Sequence, residues 1–292
     1  PQRIADHPST VPFGGPEVQE RERGAPFRAR IGANESVFGP SPHAIDAMAE
    51  AARDVWKYPD PTNHDLRQAL AARLNTTPDH VIVGAGIDGL LGSLVRLLVA
   101  PGDPVVTSDG AYPTFNYHVT GYGGVLHKVP YDNDHEDLRA LIDKAHEVKA
   151  KLIYFANPDN PMGSWVSGTT IEGLLDALPG GTLLALDEAY IEFAPEGTAP
   201  RIDPEDPRVI RFRTFSKAYG MAGARVGYGI AASDLISSFN KVRNHFGMSR
   251  IAQAGALAAL EDQAWLDDVA AKVATARERI SNIARAHGLT PL

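Results

Sequence analysis

Short apolar runs that break off in glycines or polar residues alternate, along most of this chain, with stretches of helical periodicity. Residues 81–83, 105–107, 125–129, 152–155, 183–186, 209–212 and 225–230 are β-branched, leucine-rich or aromatic and read as strands. Between them, residues 88–99, 135–148 and 169–178 read as helices; in the first, Leu90, Leu91, Leu94, Val95 and Leu98 fall on one inward face. Strands that are buried on both sides and separated by helices form a mostly parallel sheet with helices on both faces. The expected fold class is therefore α/β in three layers, and its chemistry should gather beyond the carboxyl ends of the strands.

The flanks read differently. Residues 1–35 are expected to form an arm, punctuated by Pro12, Gly14, Gly15 and Pro16 and then mostly charged. A helix is expected over 42–56, with Ser41 as its cap, Pro42 at its first position, and Ile45, Met48, Ala49, Ala52 and Trp56 as an apolar stripe. Beyond Ser233 the chain reads as helical, with a long stretch over 263–286.

With 292 residues, 43% of them hydrophobic and 22% charged, the chain can bury a full core, which excludes a disordered segment or a disulfide-stapled mini-protein. A net charge of −8 argues against nucleic acid or an anionic membrane as the main partner. The absence of cysteine removes disulfides, thiolate nucleophiles and cysteine-bound zinc. The ten histidines show no HExxH spacing, so no metal is expected, and no GxSxG elbow is present. No apolar run reaches the ~18 residues of a membrane span; the best, 90–100, is short and carries Arg96. The chain opens on Pro1 rather than Met, with no basic stretch leading into an apolar one, so a cytoplasmic protein is expected.

Four polar clusters lie beyond strand ends, at 84–88, 109–115, 157–163 and 187–190, and a further one at 214–217 also follows a strand. Gly84-Ala85-Gly86-Ile87-Asp88-Gly89 is a GxGxxG between a strand and a helix, with Asp103 or Asp109 near the end of the next strand. That fits an NAD-dependent dehydrogenase, and it equally fits any turn whose amides hold a phosphate at a helix start. Thr214-Phe215-Ser216-Lys217 places a lysine among small and apolar residues, where its pKa should fall and its amine could support Schiff-base chemistry. Ser216 and Arg225 could hold an anion beside it. Asp187 ends the apolar run 183–186, where burial would demand a cationic or protonated partner, with Tyr190 three residues on. Asn157-Pro158-Asp159-Asn160-Pro161-Met162-Gly163 has the composition of a turn.

Taken together, these clusters resemble the fold type I pyridoxal-phosphate enzymes, in particular the class I/II aminotransferases and, within them, the histidinol-phosphate aminotransferase branch. The resemblance spans about the whole chain, with the motifs in the family's order and spacing. It implies a homodimeric aminotransferase that moves an amino group between an amino acid or amino-alcohol phosphate and a 2-oxo acid such as 2-oxoglutarate. By that resemblance Lys217 is the lysine that holds the cofactor and later shuttles the proton. Arg225 and Ser216 grip the phosphate with the Gly86-Ile87-Asp88 turn. Asp187 binds the pyridine nitrogen, Tyr190 and Asn160 bind the 3′ oxygen, and Phe115, with Tyr112 second, stacks on the ring. Tyr58 reaches the partner subunit's cofactor phosphate, and Asn34-Glu35 line the substrate side.

The domains implied are an arm (1–33) belonging to a small domain, a large cofactor-binding domain (34–265), and the start of a small α+β domain (266–292). Some positions depart from the family's pattern. Ile87 stands where Ser or Ala is usual, Met162 replaces Thr, and Arg250 occupies a place commonly held by a small or apolar residue. Nothing matches the arginine that binds the substrate carboxylate, and truncation at Leu292 is expected. On the same scaffold a phosphothreonine decarboxylase-like lyase or a non-catalytic cofactor-binding sensor would remain as alternatives.

Overall fold

Seven strands pair in the order β1-β7-β6-β5-β4-β2-β3 in the computed structural model, which describes residues 14–292. They are β1 (Val81–Gly84), β2 (Pro104–Ser108), β3 (Val125–Val129), β4 (Leu152–Ala156), β5 (Leu183–Asp187), β6 (Val209–Thr214) and β7 (Gly227–Ile230). The pairs β2–β3, β2–β4, β4–β5 and β5–β6 are parallel, whereas β7 runs antiparallel to both β6 and β1. The sheet is thus mostly parallel, as the alternation predicts. The turns after β1, β2, β4, β5 and β6 all emerge at one edge.

The helices are α1 (Pro16–Arg23), α2 (Pro42–Ala52), α3 (His64–Arg73), α4 (Gly86–Leu98), α5 (Thr114–Gly121), α6 (Leu138–Val148), α7 (Gly168–Leu174), α8 (Ser233–Phe239), α9 (Arg250–Glu261) and α10 (Gln263–Ala286). Strand alternation sorts the core into layers. Leu152, Tyr154 and Ala156 of β4 face one side with Ile210 and Phe212, under Leu90, Leu91 and Leu94 of α4, Phe115 of α5 and Phe239 of α8. Ile153 and Phe155 face the other side, with Leu184 and Leu186, against Leu141 and Ile142 of α6 and Ile171 of α7. A further cluster on β1 and β7 packs Val81, Val83 and Tyr228 against Leu66 and Leu70 of α3 and Ala252, Ala256 and Leu260 of α9.

Several local expectations need correction. The helix expected over 42–56 stops at Ala52; Ile45 is half exposed and Trp56 is largely exposed, so the inward residue is Ala44, with Met48 packed beside it. The arm contains the helix α1, and the Pro12 of its expected punctuation lies outside the described residues. The chain beyond Ser233 is not continuously helical, because turns occupy 240–249 between α8 and α9. No helix was expected where α3 and α5 lie.

One buried ion cluster ties the edge of the sheet together. Glu188, immediately after β5, is fully buried, and its carboxylate holds Arg211 at 2.8 Å and Arg213 at 2.8 Å, both on β6. Removing the acid would leave Arg211 without its carboxylate and Arg213 with only Glu192 beside it, in a largely buried site. Glu188→Ala is therefore expected to cost about 3–5 kcal/mol of folding stability. The urea midpoint should fall accordingly, and an unchanged midpoint would contradict it.

Candidate active site

A cleft of about 260 Å³ opens at the carboxyl edge of the sheet, with a wider mouth of about 750 Å³ beneath residues 14–34. Its walls come from five of the turns that the topology brings to this edge: Ile87 and Asp88 after β1, Tyr112 after β2, Asn160 after β4, Asp187 and Tyr190 after β5, and Ser216, Lys217 and Arg225 after β6. Glu35 joins them from the arm side. Ten residues singled out in the sequence thus converge on one space.

Asp187 lies at the floor, at the last position of β5, and is 7% exposed. Its Oδ2 accepts the hydroxyl of Tyr154 at 2.7 Å and its Oδ1 accepts the Ala189 amide at 3.0 Å. Burial pushes its carboxyl up to about 6, against the pull of those two donors. Lys217 stands opposite. Burial, and then the charge of Arg225, hold its amine below the usual lysine range, which enlarges the neutral fraction. Its Nζ lies 5.5 Å from the centre of the Tyr190 ring and 3.4 Å from the Asn34 carbonyl. Tyr190 accepts a bond of 3.0 Å from the Asn34 amide, and burial raises its phenol to about 12. Asn34 itself adopts a left-handed backbone (φ 52°), a conformation asparagine tolerates better than most residues.

At the other end, Arg225 donates to the Ser216 hydroxyl at 3.2 Å and to the Ala222 carbonyl at 3.1 Å. The backbone here is closely fitted. Gly86 has φ +78°, and a Cβ there would run into the Arg225 guanidinium. A Cβ on Gly227 would meet the backbone of Gly86 and Ile87, so β7 can slide under the start of α4 only as glycine. That start presents unpaired amides to an anion. Asp88 sits beside it with its carboxylate bound to the His118 ring at 2.9 Å, which lowers its pKa.

One residue expected in the cleft does not reach it. Phe115, the ring expected to stack on the cofactor, is fully buried and lies against Tyr154 instead, with centroids 4.7 Å apart and planes 16° apart. It is the second residue of α5, and that phase turns it into the core, while Tyr112 faces the cleft from the preceding turn. Tyr58 lies away from the cleft, 80% exposed, with its ring against Phe246 at 5.2 Å. Arg250, the departure noted in the sequence, donates to the Tyr58 carbonyl at 2.7 Å and so braces that segment. Sequence reasoning missed Tyr154. A tyrosine inside a fully buried strand needs a partner for its hydroxyl, and that requirement was the available signal.

The geometry suits a small planar molecule with an anionic tail and a cationic ring nitrogen. The tail end offers Arg225, Ser216 and the amides of α4. The floor offers a buried carboxyl that no cationic side chain pairs among the described residues, and an amine stands between the two. Among those residues, no group of three or more His, Asp or Glu is placed to hold a metal ion, and no helix is long and apolar enough to cross a membrane.

Comparison with known proteins agrees with this reading. The family described as aminotransferase class I and II matches residues 30–291, and the chain belongs to it. This makes it an aminotransferase of the pyridoxal-phosphate-dependent fold type I class. It is 40% identical over 270 residues to a histidinol-phosphate aminotransferase of Anaeromyxobacter sp. (strain Fw109-5), covering 90% of this chain and 73% of that one. It is 37% identical over 290 residues to histidinol-phosphate aminotransferase 1 of Mesorhizobium japonicum, covering 96% and 78%. The solved histidinol-phosphate aminotransferase of Sinorhizobium meliloti, a complex with pyridoxal-5′-phosphate, superposes with a TM-score of 0.93. It shares 54% identity over 99% of this chain and 80% of that one.

Proposed function

We propose that this chain transfers the amino group of a histidinol-phosphate-like donor to a 2-oxo acid such as 2-oxoglutarate, using pyridoxal phosphate. The observation that carries the reading is the convergence of Lys217, Asp187, Asn160, Ser216 and Arg225 on one cleft. The names of the relatives above support the donor. The proposed setting is the cytoplasm, which suits a chain without cysteine. Residues 34–265 are proposed to form the cofactor-binding domain, with 1–33 and 266–292 belonging to a smaller one.

When bound, pyridoxal phosphate supplies an electron sink for the charge left on the substrate Cα after its proton departs. Arg225, Ser216 and the amides of Ile87 and Asp88 would hold the phosphate, and Asp187 would hold the ring nitrogen in its protonated form. Tyr190 and Asn160 would bond the 3′ oxygen, and Tyr112, in place of Phe115, would cover the ring. Lys217 is the amine that holds the cofactor, and its Nζ, once free, takes the proton from the substrate Cα. A lysine with a lowered pKa suits that general-base task near neutral pH. Asn34 and Glu35 would meet the substrate, since both border the approach to Lys217.

Incubation with histidinol phosphate and 2-oxoglutarate should yield glutamate and no carbon dioxide. Release of carbon dioxide would make the enzyme a lyase, and no product with any amine would leave the fold with a sensor role. We further propose a homodimer in which Tyr58, exposed and braced by Arg250, reaches the partner's cofactor phosphate. Tyr58→Phe should then weaken cofactor retention by about tenfold, the value of a hydrogen bond to a charged group. An affinity equal to wild type would remove Tyr58 from the site.

A further inference from the structure

The turn after β4 that carries Asn160 is anchored by a pair of buried acids. Asp159 and Glu136, the latter just before α6, are each 4% exposed. The Asp159 Oδ2 accepts the Tyr131 hydroxyl at 3.0 Å and the Met162 amide at 3.2 Å, while its Oδ1 is buried and receives neither. Glu136 accepts the Ser108 hydroxyl on Oε2 at 2.8 Å and a long bond of 3.4 Å from the Ala156 amide on Oε1. Both acids line the same small cavity between this turn and the start of α6, together with Ala156 and Asn157.

Two carboxylates in that position would repel, and neither could supply the donor the other lacks. A single proton resolves both difficulties, because a protonated Glu136 donates to the buried Oδ1. We propose that Glu136 is a positioning residue that shares one proton with Asp159, and that this pair fixes the turn presenting Asn160 to the cleft. Burial, and then the bond to Asp159, raise the Glu136 carboxyl well above its usual range, outweighing Ser108 and the Ala156 amide. The remaining groups facing the pair do not compete for the proton. Tyr131 donates to Asp159, Tyr154 is held by Asp187, and the His135 ring turns away to the Asn133 carbonyl at 2.8 Å. The role given to Asn160 rests on the function proposed above, whereas the shared proton does not, so the two can fail separately.

The test has two readouts on the whole protein. At about pH 9, above the range in which the buried acids Asp187 and Glu192 titrate, infrared spectra should show the carbonyl stretch of a protonated carboxylic acid. The band should vanish in Glu136→Gln and shift in frequency in Asp159→Asn, where Glu136 stays buried but loses the carboxylate that shares its proton. Absence of the band in wild type, or an unshifted band in Asp159→Asn, overturns the shared proton. For the turn, cofactor release from Glu136→Gln, whose amide can replace the O–H donor, should stay near the wild-type rate. Glu136→Leu, which strands the Oδ1, should release cofactor about tenfold faster. Equal release from both variants overturns the positioning role. If Glu136→Leu does not fold, release from Glu136→Gln at more than about ten times the wild-type rate does so instead.

Discussion

Lys217→Ala is expected to lower turnover by at least about ten-thousand-fold, because one change removes both the proposed covalent anchor and the proposed general base. The surroundings of Lys217 leave no substitute. The other cationic group of the cleft, Arg225, is engaged with Ser216 and the Ala222 carbonyl. The variant should also lose the visible absorbance that marks the cofactor joined to a lysine, while its thermal transition stays close to wild type. Turnover within tenfold of wild type would remove Lys217 from the chemistry.

Asp187→Ala should cost about a thousand-fold in turnover, the scale of losing a preorganised electrostatic partner in a buried site. The acid also predicts a pH dependence with a definite sign. In the free protein its carboxyl titrates near 6 because it is buried, so it is charged above that value and neutral below it. Binding of a ring with a cationic nitrogen should therefore weaken as pH falls through about 6, by at most tenfold per unit. Dissociation constants measured across this range should bend in wild type and stay flat in Asp187→Asn. A bend of the same size in that variant would assign the titration to another group.

Most of the strands were legible because their burial on both faces leaves short, unmixed apolar runs, and five of them emptied into the clusters that build the cleft. What escaped has physical reasons. The helix α3 buries only Leu66, Leu70 and Ala71 among polar residues, too thin a stripe to read as periodicity. The helix α5 (TFNYHVTG) is made of threonine, aromatic, valine, asparagine, histidine and glycine residues, weak helix formers whose preference tertiary packing overrides. The choice between Phe115 and Tyr112 depended on where α5 begins, and a shift of a few residues swaps core for cleft. The acids and arginines around Glu188, like the Glu136–Asp159 pair, are contacts between separate turns, which a linear pattern does not encode.

The placement of β7 bears on how such a chain is made. Val81 of β1 finds its partner only in Ile230, so the first strand synthesised as part of the sheet has no neighbour until the seventh leaves the ribosome. Until then the apolar Val81-Ile82-Val83 edge and the start of α4 wait without cover, while β2 to β5 can already pair among themselves. Closing such a long loop is slow and leaves sticky surface exposed meanwhile. Nascent chains of this architecture should therefore lean on chaperones, and the anion cradle is completed only when the last strand slides in.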